Sequence, residues 1–188
     1  MKHPPRSGLL RRLLRERKGA TAVEFALVGM PFLMLLMAIT ELSMIFLVST
    51  GLDNATAMAA REIRTGNFQN GGAVDKAAFR SLVCQNLPPL PNPCEQNMYV
   101  DVETFNTFSD LAADMSQPSG AFDETKTCFS PGQARDIVKV YVYYRWPLIT
   151  PLMNEAFADA GGGKRLLRSV AVFRNEPYDD APPVGAKC

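Results

Sequence analysis

From Ala26 to Val48 every position is apolar or small except Thr40, Glu41 and Ser43. Roughly 20 such residues in a helix cross the about 30 Å of hydrocarbon in a bilayer. The pattern continues past that run. Leu52, Ala55, Ala59 and Ile63 recur at three- and four-residue steps, which is one face of a helix. Asp53, Asn54, Arg61, Glu62 and Arg64 fall mostly on the other side. Gly66 follows as a stop, since glycine adopts the left-handed helix end cheaply. The reading is one helix from Thr21 to Thr65, about 65–70 Å long at 1.5 Å per residue. Half of it lies in lipid and half outside. Pro31 should kink its first third, having no N–H to give and crowding the turn before it.

After a Gly/Asn loop, Val74 to Leu87 predicts a short amphipathic helix with Ala78, Phe79, Leu82 and Val83 inward. Leu87 to Pro93 holds four prolines and reads as a stiff loop. Three segments then alternate with β-branched and aromatic residues, which is strand chemistry. In Met98 to Phe105, Tyr99, Asp101 and Glu103 oppose Val100, Val102 and Thr104. In Asp136 to Trp146, Ile137, Lys139, Tyr141 and Tyr143 oppose Val138, Val140, Val142 and Tyr144. The third is Leu166 to Arg174. Leu152 to Ala160 predicts a turn or two of helix, ended by Gly161-Gly162-Gly163. Thr107 to Gln133 reads as loop with a helical turn around Asp110 to Met115, and Asn175 to Cys188 as an exposed tail. The fold class is α+β: a long N-terminal helix whose outer half covers the apolar face of a small three-stranded antiparallel sheet. The domain reading is a leader at 1–19, the helix at 20–65, an outer domain at 66–174 and a tail at 175–188.

Charge adds an orientation. The chain's net charge of +1 hides a leader, residues 1–19, at +6 and a remainder at −5. A basic block directly before an apolar span predicts that this end stays in the cytoplasm and the rest lies across the membrane. An acidic remainder argues against nucleic-acid binding, which needs a basic face.

The order of features around the span is specific. A candidate cut site, Gly19/Ala20, precedes the apolar run, whereas a secretory signal is cut after it. A basic leader, then Gly19, then Glu24 and Phe25, is the layout of prepilins. Arg17-Lys18-Gly19-Ala20-Thr21-Ala22-Val23-Glu24-Phe25-Ala26-Leu27 resembles the start of the TadE-like family, minor pilin-like proteins of tight-adherence (Flp) pilus systems. Tyr143-Tyr144-Arg145-Trp146-Pro147-Leu148 with Thr150-Pro151, and Val172-Phe173-Arg174-Asn175-Glu176-Pro177, are similar to later parts of that family. The chain departs from other pilins in having Ala20 as the first mature residue and Pro31 inside the helix. The resemblance implies processing by a prepilin peptidase between Gly19 and Ala20. It also implies a helix packed on a sheet, and a role in pilus assembly or initiation beside other pilin-like subunits and inner-membrane assembly proteins. Cleavage would free the Ala20 amine. Glu24, one turn along, would pair with it or with that of a neighbouring subunit, at the positive end of the helix dipole.

Other residues carry weaker signals. Glu41, deep in the span, reads either as a charge that recognises a partner subunit or as a group at the outer headgroups. Tyr143, Tyr144, Arg145 and Trp146 read either as core packing or as a subunit-contact patch. Asp101 and Glu103 read as an acidic solvated face. Cys84, Cys94, Cys128 and Cys188 all follow the span, on the side expected to be oxidising. The proline-rich spacer favours Cys84–Cys94, which leaves Cys128–Cys188; Cys188 alternatively stays free or links two chains. The single histidine, His3, lies in the leader, so the outer domain has no Ser-His or Cys-His nucleophile. No C-x-x-C pair supports a zinc site. The chain reads as no enzyme, with no cofactor or metal. Two alternatives stay open beside the pilin reading. One is an uncleaved single-span inner-membrane scaffold of a pilus or secretion machine. The other is a soluble binding protein released by a cut in the small-residue stretch Ala57–Ala59.

Overall fold

The computed structural model describes residues 19–116, 122–150 and 153–178. Its first element, α1, runs Ala20–Arg64 and passes through Pro31 without ending there. After it come α2 (Asn67–Asn70), α3 (Lys76–Gln85), α4 (Cys94–Asn97) and β1 (Met98–Phe105). Then follow α5 (Phe108–Ser116), a 3-10 turn (Glu124–Lys126), β2 (Ile137–Pro147), α6 (Met153–Phe157) and β3 (Lys164–Arg174). The sheet is antiparallel, in the order β1-β2-β3. Met98 faces Tyr144 at one end of the β1–β2 ladder, and Ile137 faces Arg174 at the far end of β2–β3.

The core forms where the two periodicities meet. Val100 and Val102 of β1, Val138, Val140, Val142 and Tyr144 of β2, and Leu167 of β3 share one face of the sheet and are buried. The helical row Leu52, Ala55, Ala59 and Ile63 lies on that face, with Phe79 and Val83 of α3 beside it. Alanine at positions 55 and 59 lets the helix axis approach the strands. Each Val or Leu taken fully from water contributes roughly 1.5–3 kcal/mol, so this layer is the main source of stability. Asp75 caps α3 by accepting from the Ala78 N–H at 2.7 Å.

Two glycines answer to steric demands. Gly66 ends the helix at φ 79°, and a Cβ there would sit 2.6 Å from the Tyr178 ring. Gly51, inside α1, admits Pro88 to within 3.0 Å of where a Cβ would be, and so seats the proline loop on the helix.

Three expectations need correction. The stretch read as loop with one turn holds a helix at Phe108–Ser116, and residues 128–130 seal the outer edge of β1. There the Val102 N–H donates to the Cys128 carbonyl at 3.0 Å, and its carbonyl accepts from Ser130 at 2.8 Å. The tail read as exposed from Asn175 begins docked: Asn175 is buried, and its amide donates to Pro131 and Gln133 carbonyls. Glu176 donates its N–H to the Arg64 carbonyl and pairs with the Arg64 side chain at 3.1 Å. Ala78 and Leu82 of α3 are half-buried rather than fully inward.

Candidate functional site

Among the described residues, none covers the first half of α1. Phe25 is 78% exposed, and Leu27, Val28, Phe32, Leu33 and Leu35 are exposed on all sides of the helix. A helix that apolar inside a soluble protein would be packed; this one is long and apolar enough to cross a membrane and is mostly bare. At its start Gly19 is the cap residue, at φ −94° and ψ −5°, a conformation open to any residue. Among the described residues, nothing lies within 4 Å of where its Cβ would be. Neither backbone nor space demands glycine there. Ala20 opens the helix, and its side chain lies outside the described residues. Glu24 is exposed one turn further along, and the Phe25 ring lies 3.7 Å from where a Cβ of Gly29 would be.

Glu41 sits where the bare half meets the domain. It is 5% exposed. Its two carboxylate oxygens accept from the backbone N–H of Ile149 at 2.6 Å and of Thr150 at 2.9 Å. The acid is therefore satisfied by its own chain, in the loop after β2, rather than left open for a partner. Two backbone amides on a carboxylate make charge-assisted bonds, roughly twice as strong as neutral ones.

The four residues read as one aromatic patch do not form one. Strand alternation sends Tyr144 and Trp146 into the core, at 0% and 3% exposure, and Tyr143 and Arg145 to the opposite face. On that face Phe122 packs between Tyr143 and Tyr99, with ring centres at 4.5 and 5.4 Å. Arg145 donates to the Tyr99 hydroxyl at 2.8 Å, pairs with Glu124 at 3.2 Å, and lies 4.6 Å over the Tyr99 ring. Burial, aided by the negative charge of Asp101, pushes the Tyr143 hydroxyl up to about 12.

The acidic face is not simply solvated. Lys139 is buried between Glu103, at 2.6 Å, and Asp114 of α5. Burial opposes its charge, but the bonds to Asp114 and Glu103 outweigh that and raise its pKa. Asp101 accepts from the Cys128 N–H at 2.7 Å, yet burial pushes its carboxyl above the ordinary value. Sequence reasoning missed Lys139. Its signal was a lone lysine mid-strand, at a position that pairs across the ladder with Glu103.

Cys84 and Cys94 form a disulfide, with Cα atoms 5.8 Å apart, closing the proline loop. Cys128 is also disulfide-bonded, and Cys188 lies outside the described residues.

Residues 19–61 match the family model described as TadE-like protein. Over these residues α1 is similar to the TadE-like family. The match begins at Gly19, runs through the bare segment and Glu41, and ends at Arg61, in the half of α1 that covers the sheet. TadE-like proteins are a pilus-associated structural family. The strands, and the two later stretches read as similar to the family, lie beyond the matched residues. No curated protein and no solved structure matches the chain.

Proposed function

We propose that this chain is a minor pilin or pseudopilin of a tight-adherence pilus system, cut by a prepilin peptidase between Gly19 and Ala20. It stays held by α1 in the inner membrane, with the sheet domain in the periplasm. The observation that carries the reading is a TadE-like match that starts at Gly19, on a helix whose membrane length is bare. Gly19 adds to it. A glycine that neither conformation nor space requires is explained by a protein that must read it, and a peptidase pocket is such a reader. The protein acts by association rather than catalysis. After cleavage the Ala20 amine and Glu24 give complementary charges at the lipid edge, where a neighbour's helix can pair with them. Glu41 is spent on its own loop, which leaves Glu24 as the acid open to a partner.

A soluble product cut at Ala57–Ala59 fits poorly. That cut falls inside α1 and would strip Ile45, Val48, Leu52 and Ala55 from the core. The test of function is complementation. In cells lacking the chain, the wild type should restore pili, while Gly19→Trp, too bulky for a peptidase pocket, should give uncut protein and few or no pili. Normal piliation by uncut Gly19→Trp would support the scaffold reading instead.

A further inference from the structure

We propose that the outer domain itself touches lipid, through Ile149 in the loop after β2, and that Glu41 fixes the depth of that contact. The inference rests on the reading of α1 as a membrane span. On the side of α1 away from the domain, Phe46 and Leu47 are exposed apolar residues, and the next exposed positions, Thr50, Asp53 and Asn54, are polar. The outer limit of the lipid-facing surface therefore falls just past Leu47. On the domain side, coverage of the helix begins lower, at Glu41. Six residues separate these levels, about 9 Å along the axis. A tilt of about 20° across a helix about 10 Å wide moves one side by only about 3 Å. The base of the domain therefore lies below the upper lipid limit, in a headgroup layer about 5–7 Å deep.

The group at that base is Ile149. It is 68% exposed, while its neighbours Leu148 and Thr150 are buried. Its backbone N–H is pinned to Glu41, so its height follows that of Glu41 on the helix. An isoleucine held bare at the lipid edge is suited to the outer acyl chains. The same clasp answers the cost of a carboxylate at this depth, because both of its oxygens are bonded.

The experiment uses the full chain in phosphatidylcholine vesicles, with Ile149→Trp as the probe. Trp146, the chain's one tryptophan, is replaced by Phe. Where Trp146→Phe weakens the fold, Trp146 is kept and the parent's signal is subtracted. Phe32→Trp in the same background reports the span. Ile149→Trp should lose more emission to lipids brominated near the headgroups than to lipids brominated deep in the chains, and should resist aqueous iodide. Phe32→Trp should show the reverse depth preference. Adding Glu41→Ala should reduce the lipid quenching of Ile149→Trp at least twofold; unchanged quenching would overturn the role given to Glu41. Quenching of Phe32→Trp, with Ile149→Trp open to iodide and untouched by lipid, would overturn the proposal and leave the span intact. Absence of lipid quenching at both sites would overturn the span reading itself, and quenching of Ile149→Trp that appears only at high protein density would assign the contact to a second copy.

Discussion

Glu41→Ala tests whether one carboxylate joins α1 to the loop after β2. The substitution leaves two backbone N–H groups, at Ile149 and Thr150, without their acceptors. A buried donor left unpaired costs about 1–3 kcal/mol. Thr150 is buried and takes the full cost, while water can reach the backbone beside the exposed Ile149 side chain, which puts that amide at the low end. The sum is about 2–4 kcal/mol. Global stability is a poor readout, because removing the acid also removes the cost of burying its charge, which offsets part of the loss. Local opening is the better one. Amide hydrogen exchange on the chain in lipid nanodiscs should speed up at Ile149 and Thr150 by about 30- to 700-fold, at 1.4 kcal/mol per tenfold. Glu41→Gln keeps one acceptor oxygen and should fall between. A change under about threefold at both amides would refute the clasp.

Three further outcomes follow from the packing. Gly66→Ala should lower the denaturant midpoint by an amount equivalent to about 2–4 kcal/mol, from the left-handed backbone and the Tyr178 ring together; a loss of only about 1–2 kcal/mol would mean that the ring moves freely aside, and no change would refute both costs. Replacing Cys84 and Cys94 together with serine should cost on the order of 2–3 kcal/mol, read by the same titration, since the bond closes a short loop. Asp101→Asn keeps an acceptor for the Cys128 N–H and removes a charge that burial disfavours. The Asp101 pKa is raised above its ordinary 3.8, so its contribution is favourable below that value and declines as pH rises through the folded pKa. The asparagine variant should therefore gain on the wild type as pH rises from about 4 through the raised folded pKa, and a difference that stays constant with rising pH would refute the assignment.

Much of the architecture could be read from periodicity. Leu52, Ala55, Ala59 and Ile63 announce a helical face, and the valines of β1 and β2 announce the sheet face that they meet, because burial acts on every repeat of the pattern. Strand ends shifted by one or two residues, as hydrogen-bonded ends fray. What stayed hidden depends on contacts distant in sequence. Glu41 finds Ile149 across 108 positions, and no local pattern marks a backbone amide as its partner. Lys139 finds Asp114 through α5, in a stretch too irregular to predict a cover for the outer face. The division of Tyr143 and Arg145 from Tyr144 and Trp146 was legible in the strand period, but the density of aromatic residues in sequence suggested a patch that alternation forbids. Gly19 is the reverse case: the processing proposed for it is read from a motif, while among the described residues nothing lies within 4 Å of where its Cβ would be.

The proposed function requires that a peptidase trim the leader and leave the apolar helix in place. Its most direct test is the intact mass of the protein extracted from native membranes, with and without an active prepilin peptidase, under reducing conditions. A membrane-bound chain beginning at Ala20 is expected when the enzyme is present, and one beginning at Met1 when it is absent. A chain beginning at Met1 in both cases, or a water-soluble product beginning beyond Val48, would contradict it.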